Sequence, residues 1–154
     1  MNKQSNTYII VYSIILVVVV AVVLSFTALT LKPTQLANVE VEKMSDILGS
    51  VGLYDAEEAG KAADKAVFVK DEYAKYIVES FLVNAKGEKQ DADAAQTFAV
   101  LNNLKAELAL PLDQVKLPVF VSKNTSGKVN YVFPVYGTGL WGPIWGYIAL
   151  SDDL

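Results

Sequence analysis

Residues 8–31, YIIVYSIILVVVVAVVLSFTALTL, constrain this chain most, because twenty-four consecutive positions carry no charge. As an α-helix they extend roughly 36 Å, at about 1.5 Å per residue. The hydrocarbon core of a bilayer is about 30 Å thick. Val17, Val18, Val19 and Val20 are poor helix formers in water. In lipid the helix wins all the same, because a lone strand leaves its backbone groups unpaired. Tyr8 and Tyr12 stand near one end, where amphipathic rings favour the interface. Lys32 and Pro33 mark the other end with a charge and an expected helix stop. A cleaved signal peptide has a shorter apolar stretch followed by small residues, so the segment reads as an uncleaved anchor. Lys3 and the free amine place the N-terminus in the cytoplasm by the positive-inside rule. The expected partition is a cytoplasmic N-terminus at 1–7, a transmembrane helix at 8–31, a linker at 32–38 and an extracytoplasmic domain at 39–154.

After the anchor, twelve basic residues face seventeen acidic ones, a net of minus five. That balance excludes nucleic acid as a partner, since phosphate binding needs clustered cations. Cys and His are both absent. Thiolate nucleophiles, Cys/His zinc sites, axial His for haem and a Ser-His-Asp triad are therefore excluded. The remaining residues suffice for one hydrophobic core without disulfides or metals.

Periodicity gives a coarse map. Met44, Ile47, Leu48 and Val51 recur at helical spacing, and Gly49 and Gly52 loosen and end that helix. Residues 55–65 read as a solvated helix or loop, and 71–78 as a short helix. Residues 80–85 form a strand closed by a turn at Lys86 and Gly87. Residues 91–110 read as one helix with Phe98, Leu101, Leu104 and Leu108 on a stripe; Asp91 and Asp93 suit its N-terminal dipole, and Pro111 stops it. Residues 117–121 and 129–135 form a hairpin around a turn at 123–128, and 144–150 form a further strand. Helices first and strands later argue for an α+β fold. Asn124-Thr125-Ser126 fits a glycosylation sequon but reads as a turn, and Asp152 and Asp153 read as solvated.

The most unusual run is Tyr136-Gly137-Thr138-Gly139-Leu140-Trp141-Gly142. Its glycines fit G-x-G-x-x-G, but a dinucleotide fingerprint must open a helix. Here Pro143 and a β-rich segment follow, so the run reads as a loop joining two strands. Glycines let a backbone approach something closely, and Trp141 offers a flat face. The competing reading is a tight turn with a core tryptophan.

The segment VYGTGLWGPIWGYIAL, residues 135–150, resembles the glycine–leucine–tryptophan segment of the C subunit of sodium-translocating NADH:quinone reductases. The resemblance continues in LKPTQLANVEVEKMSDILGSVGLY at 31–54. It continues again in Leu104-Lys105-Ala106-Glu107 followed by Leu117-Pro118-Val119-Phe120-Val121. It implies the N-terminal two-thirds of such a subunit: one transmembrane helix, then an antiparallel-sheet, FMN-binding-type domain. The implied role is a membrane-anchored flavoprotein that carries single electrons within a sodium-pumping translocase. Its implied partners are the other subunits and the bilayer, its location the bacterial inner membrane, single-pass, with the domain on the periplasmic side. The cofactor is FMN, bound covalently through its phosphate to a threonine. Gly139, Leu140, Trp141 and Gly142 match the wall of the flavin pocket, with Leu140 and Trp141 shielding the ring from water. Tyr136 and Thr138 flank them.

One departure matters. The family's Ser-Gly-Ala-Thr attachment motif is absent, since Ser126-Gly127 is followed by Lys128-Val129. The family's Glu-Thr-Pro-Gly segment is absent too. Both are expected beyond Leu154, so the 154-residue chain alone is expected to be inactive, to carry no covalent flavin and to expose an incomplete sheet edge. Two alternatives stay open: a membrane-tethered binding or scaffold module without redox activity, and the similar flavin subunit of an Rnf-type electron-transport complex.

Overall fold

The computed structural model describes residues 6–152, so Lys3 and Asp153 lie outside the described residues. The chain divides into two units, Met1–Val39 and Glu40–Leu154. Helix α1, Asn6–Ser50, crosses that division.

In the first unit, α1 is apolar on every side and long and apolar enough to cross a membrane. A helix of this kind has no polar face to turn toward water. Tyr8 and Tyr12 stack with ring centroids 6.4 Å apart. The Thr27 and Thr30 hydroxyls donate to the carbonyls of Val23 and Phe26 at 2.9 and 2.8 Å. These two hydroxyls are thereby satisfied within the helix. The helix does not stop at Lys32 and Pro33 as the sequence suggests, and residues 32–38 are helical rather than an extended linker. Pro33 removes one bond to the preceding turn, a local cost of about 3 kcal/mol. The helix-compatible residues on both sides carry the chain past it.

In the second unit, the last turns of α1 carry the Met44, Ile47, Leu48, Val51 stripe, with Ile47 and Leu48 fully buried. α2 spans Ala56–Lys61 and α3 spans Lys65–Tyr76. α3 begins well before the expected residue 71. The reason is local: the Asp64 carboxylate accepts from the amides of Ala66 and Val67 at 2.8 and 3.2 Å, and an N-cap of this type fixes a helix start. β1, Ile77–Asn84, therefore begins where the sequence suggested helix. β2, Lys89–Gln90, is a two-residue edge strand that the sequence did not announce.

The expected 91–110 helix is shorter and divided. α4 spans Ala94–Asn102 and α5 spans Leu104–Glu107. Asp93 and Gln96 form a reciprocal capping box, amide to side chain at 2.7 and 3.1 Å, so Asp91 stays outside the helix. At the other end the Asn103 side chain donates to the Ala99 carbonyl. Asn103 itself leaves helical geometry and separates α4 from α5. Phe98, Leu101 and Leu104 are buried as the stripe implies, whereas Leu108 is exposed.

β3 is Lys116–Lys123, β4 is Val129–Gly139 and β5 is Gly142–Ser151. All pairings are antiparallel, in the order β2-β1-β3-β4-β5. The β3–β4 turn is set by Asn124, whose side-chain oxygen accepts from the amides of Ser126 and Lys128. Gly127 supplies the positive φ of +82°. Pairing of β3 with β4 runs from Lys123↔Val129 to Phe120↔Val132 and ends there. Next in line Pro134 lacks an amide hydrogen, and Pro118 on β3 lacks one too. Among the described residues, β4 beyond Val132 is paired with β5 alone.

The core joins one sheet face to the helices. Ile47, Phe98, Leu101, Phe120 and Val132 form it, and Met44, Tyr73, Tyr147 and Ala149 pack against it. Phe98 meets Tyr73 edge-on at 5.9 Å and Phe120 at 5.8 Å. Each buried aromatic of this kind stabilises the fold by about 1.5–3 kcal/mol through burial.

Candidate functional site

The glycine-rich run is the far end of the β4–β5 hairpin. Sequence reasoning took residues 136–142 for a loop, since glycine is depleted in strands. The ladder nevertheless continues through Tyr136↔Trp145, Gly137↔Ile144 and Thr138↔Pro143 to Gly139↔Gly142. Only Leu140 and Trp141 remain as the turn. Two-residue hairpin turns usually need positive φ at their central residues. Neither Leu140 nor Trp141 has it; Gly142 takes the positive φ instead, at +140°. A residue with a Cβ is strained there.

Gly139 is crowded rather than strained. A Cβ added to it would lie 2.4 Å from Ile144 Cδ1 and 2.8 Å from Ile144 Cγ1. The Ile144 side chain therefore lies across the bare backbone of Gly139. Gly137 has open space where its Cβ would be.

The structure brings the six candidate residues, Tyr136, Thr138, Gly139, Leu140, Trp141 and Gly142, to one hairpin end but encloses nothing with them. Leu140 is 91% and Trp141 97% exposed, so Trp141 is not a core tryptophan. Tyr136 is half-buried and Thr138 exposed. From Val129 to Ser151 the hairpin has no charged residue. Its end thus offers apolar and aromatic contact for a planar group, with Tyr136 and Thr138 as its hydroxyls. It has no cation for a phosphate, and the described chain has no attachment motif. These residues fit one wall of a flavin site and do not fit a whole one.

Sequence reasoning missed a groove beside the same hairpin. It has a volume of about 460 Å³ and lies between the last turns of α1 and β5. Ser45, Asp46, Tyr54, Trp145 and Tyr147 are among its lining residues. None of the six hairpin candidates lines it. Partial desolvation, with Glu42 nearby, holds the carboxyl of the exposed Asp46 above its ordinary pKa. Burial, with Asp46 and Glu42 nearby, also pushes the Tyr147 phenol up. The signal was present in the register: once Gly139 pairs with Gly142, Trp145 falls opposite Tyr136 on the face shared with Tyr147.

No protein-family model matches the chain. The C subunit of the Na(+)-translocating NADH-quinone reductase from Pseudomonas aeruginosa is 29% identical over 160 residues, covering 99% of this chain and 61% of that protein. The subunit of the same name from Pasteurella multocida is 28% identical over 165 residues, covering 99% of this chain and 60% of that protein. The crystal structure of the C subunit from Parabacteroides distasonis superposes with a TM-score of 0.58 at 32% identity, covering 80% of this chain and 52% of that one. The chain spans about three-fifths of the length of these curated relatives. In sequence along nearly its whole length, and in fold along most of it, this chain is similar to part of the C subunit of the Na(+)-translocating NADH-quinone reductase.

Proposed function

We propose that this chain serves as the membrane-anchored part of a flavoprotein subunit in a sodium-pumping NADH:quinone reductase. The observation that carries the reading is the colinear similarity to the reductase's C subunit, which takes in the apolar helix, the sheet and the glycine–tryptophan hairpin alike. Helix α1 holds the chain in the bacterial inner membrane through residues 8–31. The domain from residue 39 onward works on the periplasmic side, among the other subunits. FMN, when bound, supplies one-electron transfer between neighbouring redox centres. The contribution of this chain is contact and shielding: Leu140 and Trp141 exclude water from one side of the ring. Gly139 and Gly142 let the backbone come close, and Tyr136 and Thr138 flank them. A flavin phosphate would need donors other than this hairpin, which carries no charge from Val129 to Ser151.

The test is flavin loading of the native gene product. The expected result is a yellow protein whose denatured form keeps FMN as a covalent mass adduct. A product that stays colourless when supplied with FMN overturns the reading. A tethered binding module is the second reading, favoured by the near-complete exposure of Leu140 and Trp141. It predicts a colourless product that still co-purifies with membrane partners. An Rnf-type complex as the host would show in the identity of the co-purifying subunits.

A further inference from the structure

The hairpin end has two unlike faces. Successive side chains of a strand alternate between the faces of its sheet. The pairing of β4 with β5 therefore puts Tyr136, Thr138, Pro143 and Trp145 on one face. The other face carries Gly137 and Gly139 from β4, and Gly142, Ile144 and Gly146 from β5. Among these five, Ile144 alone has a side chain. Its direct partner across the ladder is Gly137, which gives it nothing to pack on. The Ile144 side chain reaches along the diagonal instead, and its Cδ1 and Cγ1 fill the place of a β-carbon on Gly139. Diagonal neighbours in an antiparallel pair are within reach of a long side chain. Further from the turn the next side chain on this face is Val135, whose Cγ2 stands 3.8 Å from where a β-carbon on Gly146 would be.

Gly139 and Gly142 form the last rung before the Leu140–Trp141 turn. Glycine pairs hold a ladder through the backbone alone and add no side-chain packing to it. The side-chain atoms nearest the bare α-carbon of Gly139 both belong to Ile144. Ile144 is 63% exposed, so burial accounts for little of its use there. Its place fits a brace: seated on Gly139, it blocks the turn from folding toward its own face. Neither Leu140 nor Trp141 has a positive φ, so the turn lacks the backbone geometry that usually stiffens a two-residue hairpin.

We propose that Ile144 is a positioning residue for the candidate site: it braces the last rung through Gly139 and so holds Leu140 and Trp141 at one angle to the planar group they contact. The inference rests on the flavin reading for the identity of that group, and on the hairpin alone for the brace. Ile144 takes no direct part in electron transfer. It acts by occupying space, and its removal frees the rung to open locally while the rest of the ladder stays paired.

The experiment uses the native gene product in detergent micelles, supplied with FMN, and compares Ile144→Ala with Ile144→Leu. Backbone amide exchange by NMR reads the brace, and the visible circular dichroism of bound flavin reads the positioning. In Ile144→Ala, exchange at Gly139 and Gly142 is expected to quicken about fivefold, the scale of one lost rotamer contact, while Phe133 and Ile148 are unchanged. The flavin dichroism is expected to weaken. Ile144→Leu, which still reaches Gly139, is expected to restore both. Unchanged exchange at the last rung overturns the brace. Quickening that extends equally to Phe133 and Ile148 also overturns it, because Ile144 then merely stabilises the hairpin. Quickening at the last rung with the dichroism unaltered overturns the positioning role. A product that takes up no FMN fails the flavin reading, and the exchange rates alone then decide the brace.

Discussion

Ile144 lies over Gly139, with its Cδ1 at 2.4 Å from where a β-carbon on that glycine would stand. The obstacle is the end of a flexible side chain, so Gly139→Ala is expected to turn Ile144 into another rotamer at a cost of about 1 kcal/mol. Methyl NMR shifts of Ile144 and the urea midpoint report it. Gly139→Ala combined with Ile144→Ala should return to the stability of Ile144→Ala alone. Gly142→Ala meets no obstacle but must hold φ near +140°. It is expected to cost more, about 1–3 kcal/mol, and Ile144→Ala should not relieve it.

Trp141→Ala and Phe120→Ala should separate a binding surface from a core. Trp141 is almost fully exposed and Phe120 fully buried. The first change is expected to alter stability by less than about 0.5 kcal/mol, the second by about 3–5 kcal/mol. Equilibrium urea denaturation of both variants checks this. A large loss from Trp141→Ala would mean that the hairpin end packs on something in the free chain.

Asp93→Ala removes the carboxylate that caps α4 at 2.7 Å from the Gln96 amide. The expected loss is about 1 kcal/mol. Asp93→Asn should recover most of it, since the amide oxygen can still accept. Thermal unfolding followed by circular dichroism distinguishes the two.

Alkaline pH should unfold the second unit through Tyr73 and Tyr147. Burial is the largest cause pushing both phenols above the ordinary value; Tyr147 adds to it at Tyr73, and Asp46 and Glu42 add to it at Tyr147. The folded state therefore binds these protons more tightly than the unfolded state does. Their stabilising contribution is complete below the unfolded pKa of about 10 and is lost as pH rises beyond it. Urea midpoints are expected to fall above that pH, and Tyr73→Phe with Tyr147→Phe should flatten the fall.

Much of the fold was legible because it rests on spacing. The helical stripe at Met44, Ile47, Leu48 and Val51 and the hairpin around Asn124 follow from side-chain periodicity and turn chemistry. Capping contacts were harder to read. Asp64 and Asp93 decide where α3 and α4 begin, and each is one of several acidic residues in its stretch. Pro33 was read as a stop because its penalty is local and visible, whereas the helicity of its neighbours is spread over many positions. The candidate site was legible as a set of residues and not as a shape. Glycines at 137, 139 and 142 suggested a loop, yet strand pairing uses the backbone, which glycine keeps. Register alone then brings Trp145 beside Tyr136, and no local signal around Trp145 conveys that.

Pro134 and Pro118 close the β3–β4 ladder at Val132, so among the described residues the last of β4 and the first of β5 pair only with each other, as a two-stranded ribbon. A ribbon held at one end behaves as a cantilever. Its root is fixed in the core, and its tip opens at lower free energy than the rest of the sheet. Two-stranded ribbons also twist more freely than broad sheets. Leu140 and Trp141 are thereby carried on a spring, able to follow the surface they meet while the domain behind them keeps its form.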